Sequence, residues 1–137
     1  MTDRVVIDSS VALAWVLSDE DGRRLEKVLD VPDPPVLLAP AVWRLEVANG
    51  LLQALRRRRI TESESAHAID LVRSLDAEID MGRGQRSFEE AFHLARDCGL
   101  TSYDAAYLDL AMVEGAPLCT LDSALSKVAR DVGVALV

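Results

Sequence analysis

The chain has 137 residues, half of them apolar, and carries 15 Lys and Arg against 23 Asp and Glu, a net charge of −8. That length is near the commonest domain size, so the sequence predicts one domain over residues 1–137, with a core that needs no covalent staples. The acidic balance excludes a protein that grips nucleic acid chiefly by overall charge, but not an enzyme whose bound cations and local arginines offset the field.

RVVI (4–7) reads as a strand. SVALAWVL follows as a helix that Ser9 or Ser10 can cap. A second helical stretch is expected over 19–30, then a loop at VPDPP and a strand at VLLA (36–39), with Pro40 suited to a helix start. Over 41–58, Val42, Leu45, Ala48, Leu52 and Leu55 recur at helical spacing and predict a core-facing stripe. Thr61 with Glu64 forms a capping-box pattern for a helix over 62–75. AEIDM then offers a short third strand, and Ser87 with Glu90 a second capping box, for a helix stopping near Gly99. Ser102 is placed to cap YDAAYLDLAMVEG, PLCTL reads as a fourth strand, and Asp122 or Ser123 caps SALSKVARDVG before a fifth strand, VALV. Apolar strands alternating with helices predict an α/β three-layer sandwich around a mostly parallel central sheet. The strand order does not follow from the pattern.

Four acids punctuate these segments: Asp8 and Asp122 at strand ends, Glu46 and Asp104 near helix starts. In an open parallel sheet the carboxyl ends of the strands are where ligands bind. Each acid has a bland explanation to weigh. Asp122 is explained by capping alone, and Asp104 by the helix dipole, worth under about 1 kcal/mol. Asp8 is harder to dismiss, because two serines follow it. Glu46 borders an apolar stripe, where a glutamate is costly without a partner. Unit charges about 6 Å apart at an effective dielectric of about 20 repel by about 3 kcal/mol per pair. Four converging carboxylates must therefore hold protons or a cation, and an all-oxygen set suits Mg²⁺ or Mn²⁺.

VVIDSS, the Glu of LEVANG, TSYDAAYLDLA and TLDSAL, at gaps of 38, 58 and 18 residues, resemble in order and spacing the PIN-domain ribonucleases, and among them the VapC-type toxins of bacterial toxin–antitoxin pairs. The resemblance covers essentially the whole chain. It implies Mg²⁺- or Mn²⁺-dependent cleavage of RNA, a cognate small antitoxin protein and a homodimer. Under it Asp8 and Asp104 are the principal metal ligands, Glu46 and Asp122 support them, and the hydroxyls of Ser10 and Thr120 hydrogen-bond the acidic centre. Gly50 departs from the family pattern, in which a helix former such as Ala is more usual. No histidine is placed as a base, since His67 and His93 lie in other helices, which favours metal-activated water.

Three other functions compete. A non-catalytic PIN-like module would keep the fold without the chemistry, and a DNA-directed one would need clamping segments that a chain this short lacks. A receiver-type phosphoacceptor domain normally has adjacent acids after its first strand, where VVIDSS offers one. Trp15, Trp43 and Tyr107 read as core or interface anchors, with a possible partner groove around Trp15, Trp43 and Leu52. The run Arg56, Arg57, Arg58 and Arg59 reads as a solvated helix end, with RNA contact as its alternative. Cys98 and Cys119 fit no metal or redox spacing and read as buried thiols of a reducing compartment. The N-terminal apolar run is too short for a signal peptide or membrane span, so the cytoplasm is expected and no membrane partner.

Overall fold

The computed structural model describes residues 3–81 and 88–137. Strands β1 (Arg4–Ile7), β2 (Val36–Pro40), β3 (Glu78–Asp80) and β4 (Leu118–Cys119) make one parallel sheet in the order β3-β2-β1-β4. Val5, Val6, Ile7, Leu37, Leu38 and Ala39 are buried, as strands covered on both faces require. Helices α1 (Ser9–Val16), α2 (Arg23–Leu29), α3 (Val42–Arg56), α4 (Glu62–Ser74), α5 (Phe88–Cys98), α6 (Ser102–Glu114) and α7 (Ser123–Asp131) flank it. The chain is thus α/β with a parallel sheet, as its pattern of elements implied.

The strand order fixes where a ligand can enter. From β1 the chain steps outward to β2 and β3, then returns to the opposite side of β1 with β4. The topological switch point therefore lies between the carboxyl ends of β1 and β4. Their register pairs Val6 with Leu118 and Ile7 with Cys119, so Asp8 and Thr120 leave the sheet side by side.

Several local expectations need correction. Asp8, not Ser9 or Ser10, caps α1, accepting from the Val11 amide at 3.1 Å. Likewise Thr101, not Ser102, caps α6 through the Asp104 amide. The stretch 19–30 divides into a 3-10 turn, Glu20–Gly22, and α2. Pro40 closes β2 rather than opening α3, which starts after Ala41 without a side-chain cap. VALV does not form a fifth strand and makes only the bridge Leu118–Leu136. Leu118 bonds Ala135 and Val137, and two residues on, the Thr120 carbonyl accepts from Arg24 at 2.8 Å. The Thr61–Glu64 capping box forms, and Asp122 caps α7. The box at Ser87 lies outside the described residues.

The apolar stripe of α3 is out of phase with the expected one. Trp43, Val47, Leu51 and Ala54 face the core, while Leu45 is 73% exposed and Leu52 39%. Two glycines set how closely elements pack beside this core. A Cβ at Gly50 would meet the Leu13 side chain at 2.4 Å, so α1 and α3 approach at that point. At buried Gly22 a Cβ would come within 2.7 Å of the Ala14 carbonyl and 2.9 Å of Trp15 Cα, which are backbone and cannot yield. Both cysteines are free, with Cys119 buried and Cys98 partly so. Among the described residues no helix is long and apolar enough to cross a membrane.

The phase of α3 is testable by denaturant unfolding. Leu51→Ala should cost about 2–4 kcal/mol, as buried leucines do. Leu45→Ala should stay within about 0.5 kcal/mol.

Candidate active site

Asp8 is 4% exposed at the end of β1, and three donors converge on its carboxylate. Ser10 Oγ donates to Oδ1 at 2.6 Å, the Val11 amide to the same oxygen, and the Thr120 hydroxyl to Oδ2. Both hydroxyls accept in turn from the loop after β4: Leu121 N bonds Ser10 Oγ, and Asp122 N bonds Thr120 Oγ1, each at 3.0 Å. The amides polarise the hydroxyls, and the hydroxyls hold the carboxylate, so β1 and β4 are tied through one acid. Trp43 Nε1 donates to the Asp8 carbonyl at 3.2 Å and anchors the start of α3 to the same strand end.

The other three acids face this point from separate elements. Asp122 both caps α7, through Leu125 N at 2.9 Å, and presents its charge to Asp8 and Asp104. Capping and site membership are therefore not alternatives for Asp8 or Asp122. Glu46, one turn into α3, accepts a short hydrogen bond from the Tyr107 hydroxyl. Tyr107 is 1% exposed and lies three residues after Asp104, on the same face of α6.

The charges register on one another. Burial raises the Asp104 carboxyl above its usual value, and the charges of Asp122, Glu46 and Asp8 raise it further. Burial also raises Asp8, outweighing its hydrogen bonds, with Asp122 adding to the rise. Burial and the Glu46 carboxylate push the Tyr107 phenol upward, so it stays a protonated donor. The convergence is looser than direct ligation of one ion. Among the described residues no three His, Cys, Asp or Glu are gathered tightly enough to hold a metal by themselves. Asp8, Glu46 and Asp122 are instead each held by donors of their own.

Sequence reasoning missed three supporting residues. Tyr107 and Trp43 were expected only as anchors, yet each also bonds the site, and buried Trp43 is no part of an open groove. Spacing was the available signal: Tyr107 is three residues after Asp104, and Trp43 three before Glu46. Arg24 had no such signal. The arginine run ends α3: Arg57 is its C-cap, and Arg58 takes a positive φ of 58°. Arg57 and Arg59 line a cleft of about 310 Å³ that reaches Ser10 and Leu121, but Asp19 and Asp21 share it and offset them. His67 and His93 are exposed on α4 and α5.

Residues 5–131 match the PIN domain. The chain belongs to the PIN-domain family. It is 29% identical over 124 residues to Ribonuclease VapC3 of Pyrobaculum aerophilum, covering 90% of this chain and 93% of that protein. Its fold is similar to the crystal structure of PAE2754 from the same organism, at a TM-score of 0.70 and 21% identity, covering 92% of this chain and 79% of that one. Membership of this PIN family leaves the receiver-type reading without support.

The donor set of this PIN domain fits a hard divalent cation. All four side chains offer oxygen, and their mutual repulsion favours whatever neutralises them. A loose cluster is no obstacle for Mg²⁺, which keeps several waters and takes one or two carboxylates directly.

The raised carboxyl of Asp104 gives a stability prediction with a definite sign. A folded-state value above the ordinary 3.8 means a contribution complete below that pH and lost as pH rises through the raised value. In EDTA, Asp104→Asn should therefore melt above the parent at neutral pH. The two curves should converge as pH falls toward 3.8. A helix-dipole role alone would make the variant less stable at neutral pH, by under about 1 kcal/mol.

Proposed function

We propose that the chain is a metal-dependent endoribonuclease toxin, acting as a single cytoplasmic domain that dimerises and is neutralised by a small cognate antitoxin protein. The observation that carries this reading is the four-acid crevice at the β1–β4 switch point of a PIN domain. Likeness to a protein named as a VapC ribonuclease supports the choice of RNA. The exposed Leu45 and Leu52 of α3 offer apolar area for a partner.

Asp8 and Asp104 would hold Mg²⁺ or Mn²⁺, with Glu46 and Asp122 in support. The chemistry such an ion supplies is polarisation of a phosphoryl oxygen and acidification of water. The protein's own residues orient and shield. Ser10, Thr120 and the Val11 amide fix both oxygens of Asp8, leaving it one orientation toward the crevice. Tyr107 holds Glu46 through its hydroxyl, and buried Trp43 holds the Asp8 carbonyl. The charges that raise Asp104 are those of Asp122, Glu46 and Asp8.

RNA incubated with the purified protein should be cut with Mg²⁺ or Mn²⁺ and stay intact in EDTA. Asp8→Asn and Asp104→Asn should each abolish cleavage, and Asp104→Asn should do so without lowering the melting temperature of the metal-free protein. Sequencing RNA 5′ ends after brief induction in cells should reveal the cut positions, and co-expression of the adjacent small reading frame should restore growth. Cleavage persisting in chelator, or harmless induction with intact RNA, would defeat the proposal.

A further inference from the structure

Behind the acidic crevice lies a second concavity of opposite charge. Arg24 and Lys27 project from one face of α2, at i and i+3, and Ser126 and Arg130 from one face of α7, at i and i+4. Together with Thr120 and an apolar wall at Leu136 they line a pocket of about 390 Å³. Val28 and Val137 complete the lining, and among the described residues no Asp or Glu side chain takes part in it, in a chain whose net charge is −8. Arg24 spends one donor on the Thr120 carbonyl, while Lys127 on α7 has an acid partner in Asp131. Lys27 and Arg130 are exposed. Asp19 and Asp21 share the cleft at Arg57 and Arg59, and Lys27 also borders a neighbouring cavity lined by Asp3, Asp33 and Glu114.

Thr120 is common to both chambers. Its hydroxyl bonds Asp8 on the acidic side and its carbonyl bonds Arg24 on the basic side. Ser126 likewise bonds the Asp122 carbonyl at 2.8 Å while facing the pocket. The buried Thr120 thus stands as a one-residue wall between the acidic centre and the cationic pocket. Guanidinium and ammonium groups converging on one pocket are the groups that hold phosphate oxygens.

We propose that Arg24, Lys27 and Arg130 form a phosphate subsite that holds a backbone phosphodiester of the bound RNA strand beside the one to be cleaved. The subsite rests on the ribonuclease reading above, and it supplies what an acidic protein lacks for that substrate. A cation held by Asp8 and Asp104 would serve the scissile phosphate, and the pocket serves its neighbour. Counterions released from the strand by the pocket make binding depend on salt through these residues.

The test is binding of a fluorescent single-stranded RNA with a 5′-hydroxyl, in EDTA so that nothing is cut, by anisotropy across a KCl series. Arg24 is left in place because it also holds Thr120. Lys27→Gln with Arg130→Gln should lower the slope of log K against log salt by about 1.4, at about 0.7 per contact for single strands. Affinity in low salt should fall on the order of tenfold. Lys27→Arg with Arg130→Lys should retain the parent slope, and Arg57→Gln with Arg58→Gln should leave it unchanged. A parent that cuts RNA in Mg²⁺ but shows the same slope in the Lys27/Arg130 double variant overturns the subsite alone. A parent that neither cuts nor binds RNA overturns the ribonuclease reading as well. Inorganic phosphate that raises the melting temperature through Lys27 and Arg130, with the RNA slope unmoved, makes free phosphate the ligand and overturns the strand assignment.

Discussion

The hydrogen bonds on Asp8 hold together elements distant in sequence. Thr120 lies 112 residues away along the chain, and its hydroxyl closes onto the carboxylate that also starts α1. Three donors stabilise the charged form, and burial opposes it more strongly, so the carboxyl remains raised. That residual cost is what a cation can remove. The same bonds keep the loop after β4 against the end of β1, which brings Asp122 within electrostatic reach of Asp8 and Asp104. Loss of this one acid would therefore loosen a strand end, a helix cap and the charge of the crevice together.

The parts of this molecule legible in its sequence were those written in short range. Val5, Val6 and Ile7, or the Thr61–Glu64 box, carry their own signal within a few residues. The four acids were legible for a related reason, because each sits at a boundary where pattern changes. The phase of α3 was not. Val42, Leu45 and Leu52 form one apolar stripe and Trp43, Val47 and Leu51 another, rotated by about one residue. Tertiary context chose between them: Trp43 is bonded to the Asp8 carbonyl, and Gly50 meets Leu13 where a bulkier face could not. The caps failed similarly. Ser9 and Ser10 are good capping types, but Asp8 stands one place earlier with an oxygen already aimed at the Val11 amide. Tyr107 and Arg24 have partners 61 and 96 residues distant, and no local pattern announces a bond of that span.

Charge in this chain is arranged rather than merely summed. Acids gather at the carboxyl ends of β1 and β4, while cations gather between α2 and α7, with the Thr120 peptide as the partition. A net value of −8 conceals both. It is also why composition argued against nucleic acid while the fold and family point toward it. Cys119, buried beside this partition, feels both sides: burial first and Asp8 next push its thiol up to about 11, with Arg24 opposing. Such a thiol stays protonated and unreactive, and its place in β4 is a packing one.

Gly22 decides where Arg24 can stand. With hydrogen alone at that position, the 3-10 turn lies flush on the backbone of Ala14 and Trp15, and α2 begins one residue later. Any side chain there would lift the whole of α2 from α1 as a short lever. Arg24 and Lys27 would swing away from Thr120, whereas Asp8, Glu46, Asp104 and Asp122, carried by other elements, would keep their places. In a genetic screen such a lesion would lie outside the segments that carry Asp8, Glu46, Asp104 and Asp122, yet under the proposed ribonuclease reading it would surface among alleles weakened in RNA binding.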